Sequence, residues 1–436
     1  MGRPLDAPSP AREPAGTAAA SLEPAPLGVR QMLAYAAGEL GAGAFYAFTN
    51  AALPLFLRGL TGSDVLIGLL SSTRSIAGAV IQPVVGVWSD RARTRFGRRR
   101  PFLLAAVPLA AVSLALTPFV PSLSGVIVGV VVASLAFNIA VDPYRALLAD
   151  ITPRRQRATL SSVATVVQFC GQVGTTLAVA PMGHGGIPPA AFLLVAVVLV
   201  AGFAATFLGV REPVLAAERQ RFTVGEYVAS LLACREAMKF FLGLFVLFFG
   251  LNAVVPFLTL YAVNEIGVSA GEALYLFVIL VAVTGILAVP FGRLGDQGEL
   301  PVPGIGRLRI GPAPAYQPLI AVGVVCLGMA ALLGTVARDL PHLLLLELLA
   351  GVGNAALSVL WWPLLTTLIP REKTGVFAGL SATVQSIALP LSVVLSGFLI
   401  DTFDTYRVAF VVLAAASVAA LAILLYVRVP RSTASS

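Results

Sequence analysis

The chain repeats, again and again, uninterrupted apolar runs of about 20 residues, the length a helix needs to cross ~30 Å of hydrocarbon. That repetition decides the class of structure before any motif is read. Every backbone donor and acceptor inside lipid must be satisfied within the protein, so only helices or closed barrels can span it. The runs are too long and too evenly apolar for barrel strands. The bulk numbers agree: 436 residues are 58% hydrophobic and only 11% charged, with a mean hydropathy of +0.91. The expectation is an all-α, polytopic membrane protein.

Twelve spans can be drawn, over approximately 32–57, 65–88, 101–120, 123–149, 159–181, 189–210, 238–262, 270–293, 316–336, 341–368, 376–399 and 406–427. The basic residues test this count. The connectors after spans 2, 4, 6, 8 and 10, with the boundary residues Lys239 and Arg293, hold 19 of the 29 Lys and Arg. Those after odd-numbered spans hold three, Arg58, Arg338 and Arg407. Under the positive-inside rule the even connectors and both termini are cytoplasmic, facing the anionic headgroups of membrane lipids. The net charge of +8 therefore argues for membrane orientation and against a nucleic-acid partner. The three cysteines, Cys170, Cys234 and Cys326, form neither a disulfide framework nor a metal-ligand cluster, and no metal or cofactor is expected. Residues 1–30, rich in Ala and Pro and lacking a continuous apolar core, read as a disordered cytoplasmic tail, not as a signal peptide.

A weak internal repeat divides the chain. LLADITPRR (147–155) returns as LLTTLIPRE (364–372), an offset of 217, and GVWSD (86–90) returns as GRLGD (292–296). Both pairs close matching spans, 4 with 10 and 2 with 8. The expected organisation is a six-helix bundle at 31–210, a cytoplasmic linker at 211–237, a second bundle at 238–428 and a short cytoplasmic tail at 429–436. Two pseudo-symmetric six-helix halves are the architecture of an alternating-access transporter, with its substrate site at the interface near the bilayer midplane. No phosphate-binding loop or catalytic cluster points to an enzyme, so transport would be secondary.

Between spans 2 and 3 lies GVWSDRARTRFGRRRPF (86–102), with six arginines in seventeen positions. Gly86, Asp90, Arg91, Gly97, Arg98 and Arg99 resemble the cytoplasmic loop motif of the major facilitator superfamily. More narrowly, residues 82–102 and DPYRALLAD (142–150) are similar to the sucrose/proton symporters and their animal relatives, which border the glycoside–pentoside–hexuronide:cation symporters. YAAGELGAGAFYAF (35–48) resembles the latter more loosely. The resemblance implies a twelve-helix major facilitator fold and a sugar or glycoside substrate. Coupling to protons is expected, rather than to sodium; the alternative is an uncoupled facilitator or an exporter of another small solute. At the cytoplasmic face Asp90 could pair with Arg91, Arg154 or Arg155, or face the start of span 11, forming a gate in which Asp150 and Asp296 also stand; it could instead be a static helix cap.

Ionisable residues inside spans need a partner or a water-filled cavity. Asp142 and Arg145 are three residues apart on span 4 and serve either a cavity or a buried ion pair. The resemblance assigns the Arg145 position to a required arginine of the central cavity. The resemblance makes Glu39 in span 1 a candidate for cation coupling or substrate binding; otherwise it is a structural partner of Arg74 or Arg145. Arg74 in span 2 belongs to the same cavity or snorkels. Glu347, early in span 10, reads as a solvated or pore-mouth residue. Asn138, Gln168, Gln172, Asn252 and Trp361 add the amides and aromatic face that a sugar requires, although each could equally be packing between helices. Two departures stand out. The proton-coupling carboxylate of the sucrose symporters falls on Ser134, and the cation-site aspartates of sodium-coupled relatives fall near Gly78 and Gln82. Either Glu39 or Asp142 has taken over the proton, or the transport is uncoupled.

Overall fold

In the computed structural model, residues 26–92, 94, 97–153, 156–183, 186–212, 234–302, 306–309, 315–369 and 374–429 are described. The expected N-terminal tail up to residue 25, most of the expected linker and the last residues of the chain lie outside this set. Twelve long helices account for nearly all of it. The first, α1, runs Val29–Ala47 and continues through a π-helical turn at Phe48–Ala52 into Leu53–Arg58. There follow α2 (Asp64–Arg91), α3 (Arg100–Leu116), α4 (Leu123–Ile151), α5 (Arg157–Val179) and α6 (Pro189–Gly209). The second set is α7 (Arg235–Val254), α8 (Ala270–Gln297), α9 (Tyr316–Val336), α10 (Leu340–Leu368), α11 (Thr374–Phe403) and α12 (Arg407–Leu425). All but α2 and α11 are long and apolar enough to cross a membrane by length and composition. Those two have 28 and 30 residues, about 40 Å of helix at 1.5 Å per residue, so they too are long enough. Between α8 and α9 a two-stranded antiparallel hairpin, β1 (Glu299–Val302) with β2 (Gly306–Arg309), adds an element that the helical periodicity did not announce.

Helices α2, α4, α8 and α10 begin with local chemistry that repeats between the halves. Ser63 and Ser122 accept the N–H of Leu66 and Gly125 at the starts of α2 and α4. Ser269 and Glu272 form a reciprocal capping box on α8, and Asp339 accepts the N–H of His342 on α10. Each cap satisfies a donor that the first helical turn leaves unpaired. Ser122 and Asp339 are separated by 217 residues, the offset of the sequence repeat.

Packing follows the same symmetry. In the first half α1 packs on α5 and α6, α4 on α2 and α3, and α3 on α6. Adding six to each number gives the pairs of the second half: α7 on α11 and α12, α10 on α8 and α9, and α9 on α12. The principal contacts between halves are α2 with α11 and α5 with α8, which exchange under the same operation. Within lipid, helices approach through small residues because apolar burial alone gives no preference for protein over hydrocarbon. The α1–α5 crossing depends on this. A Cβ at Gly43 would collide with the carbonyl of Gln168, and one at Gly171 with the carbonyl of Leu40. On the outside, Val112, Val197, Leu332 and Val418 are more than half exposed, as lipid-facing side chains are.

Candidate functional site

Where α1, α2, α4 and α5 meet, the sequence has put two guanidinium groups and two carboxyls. Their geometry starts from a tyrosine pair. The Tyr144 hydroxyl donates to the Tyr35 carbonyl at 2.8 Å, the Tyr35 hydroxyl donates to the Tyr144 carbonyl at 3.4 Å, and the rings stack at 4.7 Å. This lock fixes α4 against α1 beside Arg145. Arg145 is exposed although it lies within a membrane-spanning helix. Its Nη2 donates to the Tyr46 hydroxyl at 2.9 Å. Arg74 lies over the face of the same tyrosine, 4.4 Å from the ring centroid, a cation–π contact. Asn138 donates to the backbone carbonyls of Arg74 at 2.6 Å and Ser134 at 3.0 Å, which commits its amide to joining α2 and α4.

The acids face this pair without touching it. Glu39, 7% exposed, accepts from Gln168 Nε2 at 2.7 Å. One oxygen of Asp142 is buried with no hydrogen-bond partner. Both carboxyls act electrostatically on Arg145, yet among the described residues no ion pair within 4.0 Å joins either acid to Arg74 or Arg145. The direct ion pairs considered from sequence spacing are thus absent there. The supporting groups are Tyr46 and Gln168, and Tyr46 carries no sequence signal that separates it from a packing aromatic.

Next to this cluster, and lined mainly by the second half, is a cavity of about 230 Å³. Asn50 and Gln172, one helical turn beyond Tyr46 and Gln168, connect the two regions; Thr284, Glu347 and Asn354 supply the polar groups of the second half. Glu347 corrects the sequence reading. It is 1% exposed, not a solvated mouth residue. Its position early in α10 is covered by the bundle around it. Asn252 and Trp361 do not line this cavity; Trp361 packs edge-to-face on Trp362 at 5.3 Å against the core of the second half.

At the arginine-rich end, Arg98 makes two hydrogen bonds to Asp150 at 2.6 and 3.2 Å, and Arg99 adds a third at 3.2 Å. Arg99 also donates to Ser89. Glu212, just past α6, accepts the backbone N–H of Arg99 at 2.9 Å and lies 3.7 Å from Arg98 Nε. Gly97 turns with φ +101, against Glu212, a conformation L-residues rarely adopt. Gly97, Arg98, Arg99 and Asp150 were expected to belong to a cytoplasmic gate; the contacts described tie three segments of one half together, and Glu212 completes them unforeseen. Gly86 lies within α2; the side chains of Asp90 and Arg91, and all of Arg154, lie outside the described residues. Asp296 accepts the Tyr316 hydroxyl at 2.8 Å within the second half.

The described polar contact between halves is at the opposite end. Asp401, near the end of α11, accepts the backbone N–H of Asp64 at 2.8 Å and of Val65 at 3.4 Å. A carboxylate at the first turn of α2 is favoured by the partial positive charge there. Tyr406 donates to Asp64 at 2.9 Å, and Arg58 pairs with Asp64 at 3.1 Å.

Two matched six-helix bundles enclosing a charged, amide-lined chamber define a membrane transport protein. Residues 36–393 match the Major Facilitator Superfamily, and the chain belongs to that family. Among curated relatives, sucrose transport protein SUC3 of Arabidopsis thaliana is 31% identical over 120 residues, covering 22% of this chain and 20% of the relative. Proton-associated sugar transporter A of Mus musculus is 40% identical over 75 residues, 17% of this chain and 9% of the relative. The chain thus spans a fifth or less of the length of these relatives. Among solved structures, a mutant of the nucleoside transporter NupG superposes with a TM-score of 0.72 at 12% identity, covering 91% of this chain and 99% of that one. A D-xylose-proton symporter gives 0.68 at 16% identity, covering 93% and 99%. At such identities the likeness shows the fold.

Proposed function

We propose that this protein carries a sugar or glycoside across the membrane by alternating access, with protons as the coupling ion. The observation that carries the reading is the arrangement at Tyr46: Arg145 and Arg74 are held by one aromatic side chain while Glu39 and Asp142 stand near them without an ion pair. A planar guanidinium with free donors and a carboxylate with free lone pairs are complementary to the hydroxyls of a sugar. The apolar and amide walls of the adjoining cavity suit its ring faces and rim. The named relatives, a sucrose transport protein and a proton-associated sugar transporter, agree in substrate class. The arginine-rich end is taken as cytoplasmic, so the Asp401–Asp64 clasp closes the outer face.

The test is uptake of labelled sucrose, maltose and glucose into proteoliposomes holding the purified chain, with and without an imposed proton gradient. Gradient-driven accumulation that Arg145→Ala abolishes is expected. Absence of any sugar flux overturns the substrate class. A second reading, an uncoupled facilitator, is favoured by Ser134, a residue that cannot titrate where related symporters carry their coupling acid. Equilibration without accumulation selects it.

A further inference from the structure

Glu347 takes no part in the cluster around Tyr46, and its surroundings set it apart. It lies on α10 two turns before Asn354, on the same face, and both line the cavity of about 230 Å³. One carboxyl oxygen, Oε2, is buried with no hydrogen-bond partner. The neighbouring polar groups are already engaged: Asn354 Nδ2 donates to the Thr284 hydroxyl at 3.3 Å, which donates to the Leu280 carbonyl at 2.8 Å. Apart from the amides of Asn50 and Gln172, the remaining wall is apolar, with Phe277, Leu346 and Phe410 among its residues.

Among the described residues no other charged side chain lines this cavity. The ionisable groups of the helices packed on α10 lie elsewhere. On α8 these are Glu272, Tyr275, Arg293 and Asp296. On α9 they are Tyr316 and Cys326, and on α7 Arg235, Glu236 and Lys239. None of them acts electrostatically on Glu347. An ionised carboxylate so placed has no counter-charge beside it among the described residues. Among the described residues Glu347 supplies the one charged oxygen donor of this wall; a proton needs no second one.

We propose that Glu347 is a proton-binding site of the second half, loaded while the halves enclose the cavity and emptied when they part and water enters past Asn50 and Gln172. This deepens the transport reading, on which its role in coupling rests; the site itself does not depend on the identity of the substrate. It differs from the carboxyls suggested by sequence, Glu39 and Asp142, in lying across the interface from them.

Two measurements separate the possibilities. Infrared difference spectra of the purified parent and of Glu347→Gln, with no sugar added, are expected to differ by the carbonyl stretch of a protonated carboxylic acid at neutral pH. Glu347→Asp is expected to restore a shifted band. Identical parent and Glu347→Gln spectra overturn the site. In proteoliposomes, Glu347→Gln is expected to lose proton-driven sucrose accumulation and to keep sucrose counterflow, which also shows that the variant is folded. Accumulation equal to that of the parent overturns the coupling role. If the parent moves no sucrose, it is the transport reading that fails, and the infrared band still decides Glu347.

Discussion

Tyr46 gives each of two arginines a different surface, its ring to Arg74 and its oxygen to Arg145. The two contacts can be separated. Tyr46→Phe keeps the ring and removes the acceptor, so uptake of the transported sugar should fall by about 10- to 100-fold, the equivalent of the 1.5–3 kcal/mol of a hydrogen bond to a charged group. Thermal stability in detergent should change little. Uptake equal to that of the parent would show that Arg145 needs no positioning by Tyr46. Tyr144→Phe tests the scaffold instead: it deletes one buried hydrogen bond to α1, and a loss of about 1 kcal/mol of stability is expected in a denaturation series. Arg74, Glu39, Asp142 and Arg145 were legible in the sequence because charge in an apolar run is costly and needs a reason. Tyr46 was not, since a tyrosine among phenylalanines reads as packing. Glu347 was read as solvated because distance along a helix does not reveal what covers it.

At the scale of elements, helix contacts and the arginine-rich loop make the strongest demands. Gly43 allows α1 to lie against the backbone of α5, so Gly43→Leu should separate the pair. Overpacking of this kind costs about 1–3 kcal/mol or more, and a lowered midpoint of thermal unfolding would register it. An unchanged midpoint would mean that α1 can shift freely. The loop motif presents another case. Asp150→Asn removes the charge of the carboxylate that Arg98 and Arg99 share, and a loss on the order of 3 kcal/mol is expected for breaking a largely buried pair. Asp150→Asn should also reduce the yield of folded protein. Because crossing the bilayer fixes their length, hydropathy placed the twelve helices to within about four residues at every end but that of α7, which stops at Val254, eight residues short of the span drawn. It did not place the partners of the loop arginines: Glu212 lies more than a hundred residues away in sequence, after α6, and only the packing of α3 on α6 brings it near. The hairpin β1–β2 lay beyond hydropathy altogether, being a feature of a connector.

At the scale of the molecule, the repeat visible as two short strings becomes five matched pairs of packed helices in each half. The sequence spacing announced the duplication but could not tell which end of the interface is closed, since that depends on contacts between halves that no local pattern encodes. In this structure the polar clasp described is between Asp401 and the first turn of α2, at the end away from the arginine-rich loop. Its most direct test is a distance measurement by electron–electron resonance between spin labels at Gly62 and Thr402, both exposed, with Cys170, Cys234 and Cys326 replaced by serine. If the halves rock about the chamber, the parent shows mainly a short distance and Asp401→Ala shifts the population to a longer one. A single short distance, unchanged in Asp401→Ala and with every sugar that is transported, would contradict alternating access in this chain.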